Sequence, residues 1–330
     1  MHIQNWNLNR SSNLRSAFTL FDLMAATTAA STLMILITVI ALPGCEKKKE
    51  SASSMIEDSM QSAALSEKEM KQLRNLHLAN SVYASENEGG FILPSDLERT
   101  PVNGHYIPGI GQPQLDRNYT AAMGSALIML RYVDPDSLVS PSENNPSIGI
   151  KGEIEESSGK PETYDFEAYS PADGVTFDRS FRTNLDDQEA DHMSYANLTQ
   201  LGDERMSRWH DNAGGDTIIW STRGIPDGDI NHPKSVNSPI LQMHSPSDQW
   251  SGHIVCADGS VHSIDSVHPD NVRYDGQAVG RLGYHKDNIF HCEFSDKVPG
   301  DDTAKLQGDM WMTYSHMISP DELMVSATFD

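Results

Sequence analysis

The chain is short of cysteine, of positive charge and of long apolar runs, and each shortage is informative. Only Cys45, Cys256 and Cys292 occur in 330 residues. Three thiols cannot build a disulfide-rich scaffold or a four-thiolate zinc site. No C-x-x-C, G-x-S-x-G, Walker loop or G-x-G-x-x-G is present, so the common redox, hydrolase and nucleotide-binding fingerprints are missing. Lys and Arg number 24 against 47 Asp and Glu, a net charge of −23. A surface of that sign repels phosphate backbones and argues against a nucleic-acid partner. One apolar stretch, Leu23 to Gly44, reaches membrane length. With 23 Gly, 17 Pro and 22% charged residues, the remainder reads as globular and loop-rich rather than disordered.

What is present begins at the N-terminus. Residues 1–17 carry Arg10 and Arg15, no acid and many Asn and Ser, and read as a leader. Leu23 to Gly44 would reach about 33 Å as a helix, enough for a hydrocarbon core of about 30 Å. Its first half, Ala25 to Thr32, is small and hydroxylated, which suits close helix packing in lipid. Asp22 stands at its start, and a carboxylate there is costly unless it has a role. Lys47, Lys48 and Lys49 follow the run, so the positive-inside rule mildly favours the opposite orientation.

The stretch Ala17-Phe18-Thr19-Leu20-Phe21-Asp22-Leu23 resembles the N-terminal segment of type IV prepilins and type II secretion pseudopilins. The resemblance implies cleavage after Ala17 by a prepilin peptidase and methylation of the Phe18 amine. It also implies that Asp22 pairs with the amino terminus of a neighbouring subunit during assembly. Ala17 stands where the family has Gly, and Asp22 where it has Glu. A competing signal, Leu42-Pro43-Gly44-Cys45, resembles a bacterial lipobox and would make Cys45 a lipidated first residue.

Residues 45–65 read as a tether or loosely helical stalk. Ser66-x-x-Glu69 matches a capping box and opens a helix expected over 67–88. Met70, Leu73, Leu76 and Tyr83 form its apolar stripe, widened by Leu78 and Val82, and Gly89-Gly90 stops it. A second helix is expected over Ala126 to Tyr132, loops around short strands from Gly149 to Arg205, and a strand over Gly215 to Ser221. His253 to Ala257 and Ser260 to Ile264 flank Asp258-Gly259 and read as a hairpin with a two-residue type I′ turn. That register sets Cys256 against Val261 and Val255 against His262, and puts His253 and His262 on one face.

Three of these segments resemble the pseudopilin-like proteins abundant in planctomycete and verrucomicrobial genomes. They are Glu69 to Pro94, the turn Leu138-Val139-Ser140-Pro141-Ser142-Glu143, and the Asp258-Gly259 hairpin of an H-x9-DG motif. Ser140 stands at the family's Cys and Asp248 at its His. The implied fold is α+β: a long N-terminal transmembrane helix, then a pilin-like head with a helix on an antiparallel sheet and long loops. The implied divisions are a leader (1–17), a transmembrane or assembly helix (18–44), a tether (45–65) and an extracytoplasmic head (66–330).

For metals, His244, His253, His262 and His268 cluster without matching any zinc spacing, so exposed strand histidines are the plainer reading. Asp227, Asp229 and Asn231 resemble the start of a calcium loop, and major pseudopilins bind Ca2+ in a C-terminal loop. The sixth position is His232 rather than Gly, and the twelfth is Ser238 rather than an acid. Cys256 and Cys292 form a disulfide or remain buried thiols. The expected function is structural: a pseudopilin-like subunit of a type II secretion or type IV pilus-like envelope machine, with no enzymatic role. It would lie at the inner membrane with its head in the periplasm or outside. Its partners would be the prepilin peptidase, other pseudopilins and the membrane. The alternative is a membrane-anchored or lipidated extracytoplasmic protein whose head captures a cation or glycan.

Overall fold

The computed structural model describes residues 46–152, 163–185, 189–244, 249–276, 282–292, 309–322 and 324–329. Ala17, Phe18, Asp22, Cys45 and the whole 18–44 segment lie outside the described residues. Among the described residues no helix is long and apolar enough to cross a membrane. The expected fold class is corrected on that ground. The described head is mostly β, built on a five-stranded antiparallel sheet. The one long helix, α1 (Glu46–Glu86), carries charged residues along its length.

Helix α1 starts some twenty residues earlier than the capping box implied. No Gly or Pro interrupts the chain from Glu46 to Glu88, and Glu, Lys, Ala and Met, with Ser among them, make up most of its first half. Nothing there ends or restarts a helix. Its buried residues are Glu69, Leu73, Leu76, Ala79, Asn80 and Ala84, a stripe stepping by three or four. Leu78 and Val82, expected on that stripe, are exposed (58% and 46%). They sit two positions beyond Leu76 and Asn80, about 200° around the helix. Gly89, at φ +85°, ends the helix by donating its N–H to the Ala84 carbonyl.

The main sheet runs β4-β3-β2-β1-β7. Its strands are β1 (Tyr195–Leu198), β2 (Ile218–Thr222), β3 (Gly252–Cys256), β4 (Val261–Ile264) and β7 (Met312–Thr313). Two ribbons accompany it: β5 (Arg273–Asp275) with β6 (Tyr284–Lys286), and β8 (Ser315–Ser319) with β9 (Met324–Ala327). Strands β1, β2 and β3 are buried at every position. Beside them runs a short helix over Thr120–Met129, apolar all round and buried throughout, as such a helix must be. Its Thr120 hydroxyl donates to Asn197 Oδ1 at 2.7 Å, which satisfies a polar side chain in the middle of β1.

The β3–β4 hairpin corrects the expected turn. Its ladder pairs Val255 with Val261, Ile254 with His262 and His253 with Ser263. Cys256 N–H bonds the Ser260 carbonyl and Gly259 N–H bonds the Cys256 carbonyl, so the loop holds three residues, Ala257 to Gly259. Gly259 lies at φ +81°, whereas Asp258 is not left-handed. That is a type I turn closed by a left-handed glycine, not a type I′ turn, which needs positive φ at both central residues. The extra residue moves the register by one and turns His253 and His262 to opposite faces. His253 is buried at 2% exposure; His262 and His268 are exposed.

Candidate functional site

Helix α1 crosses the sheet at one polar point. Gln72 Nε2 donates to the carbonyls of Asp136 and Val139, and the Tyr195 hydroxyl of β1 donates to Gln72 Oε1. His77 Nε2 contacts the Ala257 carbonyl in the hairpin turn at 2.9 Å. One turn of helix before Leu73, the stripe carries Glu69 in place of a hydrophobe, fully buried.

Glu69 is held from several sides. Its Oε2 accepts from Ser140 Oγ and its Oε1 from Thr222 Oγ1, both at 2.7 Å. His244 Nε2 stands 3.2 Å from Oε2 and His253 Nδ1 stands 3.4 Å from Oε1. The two imidazole nitrogens are 3.2 Å apart. His253 is fixed at its other end by Ser66 Oγ, 2.8 Å from Nε2. Its backbone N–H bonds Thr222 Oγ1, so β2 and β3 present Thr222 and His253 side by side to α1. His244 enters from the loop after the single turn Pro239–Gln242, its side chain 11% exposed.

Burial is the largest influence on Glu69 and raises its pKa. The hydrogen bond and charge of His253, the charge of His244 and the Ser140 hydroxyl together outweigh it and hold the carboxyl below its ordinary value. Burial lowers His244, against Glu69, which raises it, and His253 adds to the lowering. Burial and then the Glu69 charge push the Tyr195 hydroxyl well above its usual value, which keeps it a donor toward Gln72. Among the described residues Glu69, His244 and His253 are the group of His, Cys, Asp or Glu side chains whose ligand-type atoms all lie within 4.8 Å of one another.

No family model, curated protein or solved structure matches the chain. The site therefore rests on its own geometry.

The other expected site residues fall elsewhere. The Asp227 carboxylate meets His291 Nδ1 at 3.1 Å, and Asp229 Oδ1 accepts the backbone N–H of Asn231 at 2.9 Å. Asn231 Nδ2 reaches the same Asp229 oxygen at 3.3 Å. No disulfide joins Cys256 and Cys292. Cys256 is fully buried in β3, whereas Cys292 lies beside Arg205, whose Nη2 is 3.1 Å from its sulfur.

Burial above all raises the Cys256 thiol to about 11. At pH 8 only about one thiol in a thousand is then ionised, against about a quarter for an ordinary cysteine. Brief alkylation of the folded chain with iodoacetamide, followed by peptide mapping, is expected to label Cys292 and spare Cys256. Labelling both at equal rates would contradict the buried placement.

In the sequence His244 and His253 stood among four clustered histidines read as exposed, and Glu69 stood only as part of a capping box. The available signal was an acid aligned with Leu73 and Leu76 at helical spacing. Ser66 and Glu69 read as a capping box because a cap and two polar residues one helical turn apart that both face His253 use the same spacing.

Proposed function

We propose that this chain is a structural, non-enzymatic subunit of a type II secretion or type IV pilus-like envelope machine. It is processed after Ala17 by a prepilin peptidase and methylated on Phe18. It associates with the inner membrane and with like subunits through its N-terminal segment, where Asp22 pairs with a neighbour's amino terminus. The head faces the periplasm or the exterior.

One observation carries the reading beyond the N-terminal resemblance. The three head segments that resemble pseudopilin-like proteins are far apart in sequence yet meet at one place. The Ser140 turn bonds Glu69 of α1, His77 of α1 contacts the Ala257 carbonyl of the hairpin turn, and His253 of the hairpin faces Glu69.

Mass spectrometry of the mature N-terminus, from protein isolated from its native cell, tests the proposal. An N-methylated Phe18 as first residue is expected. A diacylglyceryl Cys45 would overturn it in favour of a lipidated binding protein, and an intact Met1 would overturn it in favour of a plain anchor.

A further inference from the structure

We propose that Glu69, His244 and His253 bind one zinc ion, which ties helix α1 to strand β3 and to the loop after Gln242. The inference concerns the head alone and goes beyond the assembly role.

Charge poses the question. A fully buried carboxylate needs a cationic partner or a full set of donors. Glu98 meets Arg117 and Arg179, and Glu143 meets Arg223. Glu69 has no Lys or Arg within ion-pair distance among the described residues; two imidazoles stand there instead.

Distance then separates two explanations. Imidazoles bonded directly to a buried carboxylate are expected at about 2.7–2.9 Å. The two hydroxyls on Glu69 do sit at 2.7 Å, but the imidazole nitrogens stand off at 3.2 and 3.4 Å and are 3.2 Å from each other. Ligands arranged tetrahedrally around zinc at about 2.0–2.1 Å stand about 3.3–3.4 Å apart. Each imidazole nitrogen thus stands at about that spacing from the other and from one carboxylate oxygen, His244 Nε2 from Oε2 and His253 Nδ1 from Oε1, a spacing that an ion held by all three side chains would produce.

The donor set names the metal class. Two imidazoles and one carboxylate are borderline ligands that suit zinc, whereas Ca2+ and Mg2+ take oxygen shells. Two of the three ligands have the expected outer contacts: Ser66 orients His253, and Ser140 and Thr222 orient Glu69, whereas His244 Nδ1 has no hydrogen-bond partner among the described residues. Three protein ligands leave a fourth position for water, beside the partly exposed His244.

The test uses the full chain in mild detergent, stripped with a chelator and titrated with Zn2+ by calorimetry. One ion per chain is expected, with a rise in melting temperature of roughly 5 °C or more at saturation. Co2+ in place of Zn2+ is expected to give the visible absorption bands of a four- or five-coordinate nitrogen and oxygen site. His244→Ala and Glu69→Gln are each expected to weaken Zn2+ binding by about 100-fold or more, and Ser66→Ala, which keeps every ligand, by about 10-fold. If Glu69→Gln does not fold, His244→Ala decides, because His244 lies at the edge of the core. A folded wild-type chain, judged by circular dichroism, that binds no Zn2+ at about 100 µM overturns the proposal. So does undiminished binding by folded His244→Ala. Neither result bears on Phe18 methylation, so the two proposals fail separately.

Discussion

Glu143→Ala is expected to remove about 3–5 kcal/mol from the unfolding free energy, the usual consequence of removing one member of a buried ion pair. The pair it breaks is nearly sealed, with side-chain exposures of 2% for Arg223 and 5% for Glu143. Both guanidinium ends reach the carboxylate, Nη2 to Oε1 at 3.0 Å. The same two oxygens also accept from Ser194 Oγ at 2.7 Å and from the N–H groups of Asn144 and Asn145 at 3.0 and 2.8 Å. Truncation therefore takes an acceptor from three neutral donors as well as from the Arg223 guanidinium. Urea unfolding followed by fluorescence reads the loss as a lower midpoint with an unchanged slope. Replacing both members with apolar residues, Glu143→Leu with Arg223→Met, is expected to recover much of it, since the desolvation of the charges disappears too. A cost below about 1 kcal/mol for Glu143→Ala, the range of an exposed pair, would mean that water reaches this site.

Trp220→Ala is expected to cost a similar amount, about 3–5 kcal/mol, but through a void rather than a charge. Trp220 is fully buried on β2, paired with Asn197 of β1 and Val255 of β3. Its ring meets Trp209 edge-on at 5.9 Å, and Trp209 meets Phe91 in the same manner at 5.7 Å. These rings link the sheet to the segment after α1, where Trp209 Nε1 donates to the Ile92 carbonyl. Trp220 Nε1, by contrast, has no hydrogen-bond partner among the described residues. Trp220→Phe removes that unsatisfied donor along with part of the ring, so its expected cost stays below about 2 kcal/mol. Equal losses for Ala and Phe would show that the indole N–H has a partner after all.

How much of this was legible in the sequence depends on what each element displays. The apolar stripe through Leu73 and Leu76 was visible, because helical spacing survives any choice of partner. The start of α1 was not, because residues 46–65 hold no breaker and no cap that differs from ordinary helix. Strand β1 lies in a stretch read as loops around short strands, but its place there was hidden: Tyr195-Ala-Asn-Leu is buried on both faces and so shows no alternation. Asp258-Gly259 announced a turn but not its length, and the length alone decided which histidine went inside. In the candidate site, His244 and His253 stood out as histidines close in sequence. Glu69 is 175 residues or more away, and only the packing of α1 on β2 and β3 brings it to them. The membrane-length run from Leu23 to Gly44 lies outside the described residues.

The three-residue turn at Ala257 to Gly259 also limits how the chain can vary. Side chains alternate along β4, so the number of residues in the turn acts as a parity setting for everything after it. Adding or removing one residue would turn His262 and Ile264 to the opposite side of the sheet. Adding or removing two would restore their facing. Of the length changes open to this turn, the odd ones are closed to any sequence that keeps the present faces of β4.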